Sequence, residues 1–165
     1  MNSIIDRCPF YDRETMVETG SGSVPIRAYQ VVMWVSLSVR GVVSPRFPAV
    51  LDTGHSHNFS IREEDLKTWT GLAPEAMEVV GSIRVNNRLV LLREAEVVLH
   101  RNVPGTRDEI QGEPHLLETT QGIVIHKSGD PLAARLPVLG VRALVRNKLR
   151  LFVDGPAMTV SLESD

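Results

Sequence analysis

The run Phe47–Ile61, FPAVLDTGHSHNFSI, constrains the chain more than any other stretch. An apolar approach from Phe47 to Leu51 stops on one acid, Asp52, and turns at once through Thr53 and Gly54 into His55, Ser56 and His57. A carboxylate at the end of a buried strand is costly unless it is paired, hydrogen-bonded or partly neutralised, so the fold must bring Asp52 a partner. The segment before it reads the same way. Val31, Met33, Val35, Leu37 and Val39 place apolar side chains on one face, with Ser36, Ser38 and Arg40 on the other, which is strand periodicity. Gly41 and Pro45 bound the turn between these two strands.

Composition narrows the function. The chain has 165 residues, 42% hydrophobic and 23% charged, enough for one domain with a real core. A net charge of -2 and a pI near 6.2 give no electrostatic case for nucleic acid or an anionic membrane as the main partner. Cys8 stands alone, which rules out an internal disulfide framework and a zinc site of the Cys-x-x-Cys type and fits a reducing compartment. The first twenty residues scatter Asp6, Asp12, Glu14 and Glu18 among short apolar pieces, unlike a secretory leader. No stretch reaches the roughly 18 apolar residues of a membrane span. The expectation is a cytoplasmic protein.

Residues 19–23, TGSGS, have linker chemistry, so 1–23 is expected to be an arm and linker and 24–165 the folded domain. Ser60 and Glu63 have capping-box spacing and predict a short helix over about Ile61–Trp69. Asn86-Asn87 predicts a tight hairpin turn, since asparagine tolerates positive φ. Ala95–Leu99 reads as a strand, and 101–121 as a long surface excursion. Strand character resumes at Gly122–His126. A short strand then passes through Gly140 into a short helix, and Asp154-Gly155 turns a terminal hairpin.

Asp-Thr-Gly alone is a set of common turn residues, but VLDTGHS together with PVLGVRALVRNKLRLFVDGPAMTVSL resembles the retropepsin-like aspartic proteases, the single-domain retroviral type with prokaryotic relatives. The resemblance runs in order from about Val31 to Leu162, with its specificity in those two segments. It implies a mainly β acid-protease fold, with a closed or nearly closed barrel-like core and one or two short helices. It also implies a homodimer, because this chain has one Asp-Thr-Gly and hence half a site. The partner of Asp52 is then the same residue in a second copy.

The function implied is an aspartic endopeptidase that hydrolyses a peptide or protein substrate through a water held between two Asp52 carboxylates, without metal or organic cofactor. Thr53 would tie the two loops across the axis, and Gly54 would let backbone approach substrate. His55, where the family usually has Ala, and Ser56 would contact substrate. Arg142 resembles the family's buried arginine; read without the resemblance, it lies on a solvated helix face. The cover over bound peptide is either the Asn86-Asn87 hairpin, which lacks a glycine-rich tip, or the 101–121 segment. Two other readings stand beside this one. His55 in place of Ala suits a peptide-binding or regulatory module that keeps the fold without turnover. His55-x-His57 suits a metal-binding β protein, although His100, His115 and His126 are scattered and no third ligand has persuasive spacing.

Overall fold

A computed structural model describes residues Met1–Asp165. The protein is mainly β. Its centre is a sheet built around β4 (Val31–Val39) and β6 (Phe47–Asp52), antiparallel partners from Val31↔Leu51 to Val35↔Phe47. On the far side of β4 lie β10 (Glu96–Leu99) and β11 (His115–Leu117), while the short β5 (Val42–Val43) pairs with the end of β4 along the same edge as β6. Beyond β6 come β13 (Val138–Gly140), β7 (Phe59–Arg62), β12 (Ile123–His126), β9 (Arg88–Arg93) and finally β8 (Val79–Val85).

The strand order is open, which corrects the expected barrel. At one end β11 has three residues; at the other, the β8–β9 hairpin is largely exposed and extends the sheet instead of closing it. Asn86 and Asn87 turn this hairpin with φ of 49° and 62°, the left-handed pair expected there.

The odd face of β4 enters the main core, where Met33, Val35 and Leu37 meet Phe47, Ala49 and Leu51. Its even face, read from the sequence as polar, is buried too. Val32 and Trp34 pack with Val50, Val17, Ile26 and Leu136 in a second cluster. Ser36 is tolerated there because its hydroxyl meets His100 Nε2 at 2.8 Å. Each large apolar side chain buried this way contributes on the order of 1.5–3 kcal/mol.

That second cluster needs the N-terminal segment. TGSGS forms the turn between β2 (Thr15–Thr19) and β3 (Gly22–Ile26), a hairpin that supplies Val17 and Ile26. Gly and Ser serve a tight turn as well as a linker, so local composition does not separate the two. β1 (Asn2–Pro9) pairs with β15 (Thr159–Ser164) and sends Ile4, Ile5 and Cys8 into the main core. β14 (Arg150–Asp154) completes this second sheet, with Asp154-Gly155 at its turn as expected.

The 101–121 excursion is fastened to the same segment. Buried Asn102 donates to the Asp6 and Thr106 carbonyls and accepts the Asp6 N–H, each at 2.8 Å. Arg107 donates to Thr15 Oγ1 and to the Met16 carbonyl, both at 2.9 Å.

Helix α1 spans Glu63–Thr70, but the Ser60–Glu63 capping box is not formed. Ser60 is buried mid-sheet, with Val124 on one side and Val138 on the other, and Arg62 takes the cap position. Glu63, Glu64 and Asp65 instead place negative charge at the helix start, and Arg62 grips Asp65 through two hydrogen bonds of 2.9 and 3.2 Å. The second helix, α2 (Val141–Arg146), follows Gly140 directly. No helix is long and apolar enough to cross a membrane.

Candidate functional site around Asp52

β13 lies between β6 and β7, the two strands joined by the Asp52–Asn58 loop. It runs parallel to β6, with Gly140↔Asp52, and antiparallel to β7, with Leu139↔Phe59. The two segments that carry the sequence resemblance are therefore register neighbours. Residues Phe47–Leu51 are buried, and Asp52 is the first of the strand to reach solvent, followed by exposed Thr53 and Gly54.

The loop is pinned by its own backbone. Gly54 N–H donates to Asp52 Oδ1 at 2.9 Å, and His55 N–H to the Asp52 carbonyl at 3.1 Å. Val141 N–H then holds the His55 carbonyl, and Gly140 N–H the Asn58 carbonyl, both at 3.0 Å. A Cβ at Gly54 would stand 3.2 Å from Asp52 Oδ1, so a larger residue there would displace the carboxylate by a few tenths of an ångström. The outcome is an exposed acid on a short, fixed turn at the end of a buried strand. Such a group can hold a water or share a proton with a second carboxylate, and its position costs no rearrangement.

His55 is turned inward. Its ring lies against Gly140, and Nε2 is enclosed without a hydrogen-bond partner. Its pKa is held down by burial first, then by His57 and His126, while Asp52 pulls the other way. The His57 ring stands edge-on to it at 5.0 Å between centroids, and its pKa is lowered by burial, Arg142 and His126. Ser56 is exposed. No group of three His, Cys, Asp or Glu side chains has metal-binding geometry, so His55 and His57 lack a third ligand. Arg142 is exposed on α2 and reaches Gln121 Oε1 at 3.3 Å, the solvated-face placement and not the buried one.

His126 was not singled out from the sequence. It enters the neighbourhood because β12 pairs with β7, setting His126 opposite Arg62. A lone histidine closing a short strand carries no local signal of this; only the parallel pairing brings it near the loop.

No family model, curated protein or solved structure matches the chain.

Proposed function

We propose that two copies of this chain form a retropepsin-like aspartic endopeptidase, each contributing Asp52. The observation that carries the reading is the meeting of the Asp-Thr-Gly and Leu-Gly segments, with Asp52 opposite Gly140 and its carboxylate exposed on a turn fixed by Gly54. One chain offers one such acid, and an isologous dimer supplies the second. Two adjacent carboxylates do not both ionise cheaply, so the pair shares one proton. The ionised member takes a proton from a water that attacks the peptide carbonyl; the protonated one hydrogen-bonds the oxygen gaining charge and returns a proton to the leaving amine. His55 turns Nε2 into the protein, and burial lowers its pKa, which disfavours a charged imidazole beside that pair.

The test is digestion of a peptide library at several pH values by wild-type and Asp52→Asn protein. Cleavage is expected to fall at least about 100-fold in the variant while the fold persists, because the amide neither takes nor shares the proton. Equal cleavage by both proteins would end the assignment. Binding without cleavage by wild type would place the chain with the non-hydrolysing modules.

A further inference from the structure

β9 and β12 pair only at Ile123↔Arg93 and Val124↔Leu92. Past that point the strands part, and a cleft of about 830 Å³ opens between Arg88–Leu91 on one wall and Ile125–Lys127 on the other. Gly122 forms the closed end. It has φ +87°, and a Cβ there would lie 2.7 Å from Val80 Cγ2 and 2.9 Å from the Arg93 carbonyl oxygen, so the two strands are held tightly at their junction. At the open end Arg88 Nη1 faces Asp130 Oδ1 at 3.6 Å across the mouth.

Both walls are strand edges. β9 spends its other edge on β8 and β12 spends its other edge on β7, whereas no ladder joins β9 to β12 beyond Val124. Main-chain groups facing the cleft are therefore available for pairing, and main-chain polar groups seek partners. His126 is buried beside the cleft, with its Nδ1 facing Asp130 Oδ2 at 3.5 Å. Leu89, Leu91 and Ile125 place apolar side chains on walls otherwise lined by polar and charged groups of both signs, Glu63, Glu75, Arg93 and Lys127 among them. Lys127 contributes a cation that has no ion-pair or side-chain hydrogen-bond partner in the protein.

We propose that this cleft is a receptor slot for one extended peptide strand. The peptide pairs its main chain with β9 and β12, lays apolar side chains on Leu91 and Ile125, and presents a carboxylate to Lys127. Strand addition gives affinity through the main chain and selectivity through alternate side chains, and here two edges are offered instead of one. The slot does not include Asp52, so the inference stands whether or not that residue hydrolyses anything.

The test uses Asp52→Asn protein, so that the probe stays intact, and a fluorescein-labelled, N-acetylated heptapeptide of sequence Thr-Val-Thr-Val-Glu-Val-Thr. Saturable binding is expected, with amide hydrogen-exchange protection gained at Leu89–Leu91 and Ile125–Lys127. Methylating alternate amide nitrogens of the peptide on its pairing edge should weaken binding by about tenfold or more, since those donors are then gone. Lys127→Glu, a change at an exposed side chain, should weaken the glutamate peptide about threefold and leave its glutamine counterpart unchanged. No binding at millimolar peptide, equal binding of the methylated probe, or indifference to Lys127→Glu would overturn the proposal. Protection confined to the outer edge of β8, or to Asp52–His57, would overturn it too; the latter pattern would leave the Asp52 reading standing.

Discussion

Gly140 is packed so tightly beneath the Asp52 loop that a Cβ on it would meet the His57 carbonyl and lie 2.7 Å from the His55 carbonyl oxygen. The absence of a side chain there lets β13 slide between β6 and β7 and fixes where Asp52 stands.

Gly140→Ala should therefore destabilise the protein by about 1–3 kcal/mol, because rigid backbone carbonyls, not a flexible side chain, must move aside. Urea denaturation measures the loss. Any Asp52-dependent cleavage should fall further than stability alone explains, since the displaced backbone is the turn that positions the acid. A variant as stable as wild type would show that the loop yields freely.

Acid should weaken the fold before the carboxylates titrate. His55, His57, His100 and His115 are all held below their ordinary value of 6.5, in each case chiefly by burial. Their unfolded forms bind protons at a pH where the folded forms do not. Stability is therefore full above about 6.5 and declines as pH drops below it, towards the lowered folded values. The urea midpoint should be lower at pH 5.5 than at pH 7.5, and His55→Phe should flatten that difference. A midpoint that rises on acidification would contradict the assignment.

Cys8 should resist alkylation. Burial pushes its thiol up to about 12, with Asp108 adding to that and Arg107 opposing it, so almost no thiolate exists near neutrality. A disulfide reagent at pH 8 should label the folded protein far more slowly than protein in urea. Rapid labelling of the native state would mean that β1 opens readily from β15.

Asn102→Ala would strip the partner from the Asp6 N–H and from the Thr106 carbonyl, and leave the Asp6 carbonyl with the Gly105 N–H alone. A loss on the order of 2–3 kcal/mol is expected, accompanied by faster proteolysis between 101 and 113. Unchanged protease sensitivity would show that the remaining ties, from Arg107, Arg101 and the Gly105 N–H, secure the excursion without Asn102.

Several of these features could be read in the sequence because short-range chemistry dictated them. The Val31–Val39 alternation, the apolar run into Asp52, the Asn86-Asn87 turn and the Asp154-Gly155 turn each need only their neighbours. Ser60 misled because a hydroxyl three residues before Glu63 suits a cap equally well as a serine flanked by two strands, and tertiary pairing decided between them. Trp34 belongs to a face that looked half polar until the β2–β3 hairpin covered it. The β9–β12 cleft had no sequence signature at all, since it arises where two strands stop pairing.

The insertion of β13 between β6 and β7 also sets an order of events. The two strands that flank the Asp52 loop emerge from the ribosome well before residues 138–140, the only segment that can fill the gap between them. Until that late segment arrives, β6 and β7 have facing edges with nothing to pair, and closing this distant contact is slow. A nascent chain halted before Val138 carries every atom of the Asp-Thr-Gly turn but not the neighbour that shapes it. The acid thus takes its final place only after residues 138–140 have been made.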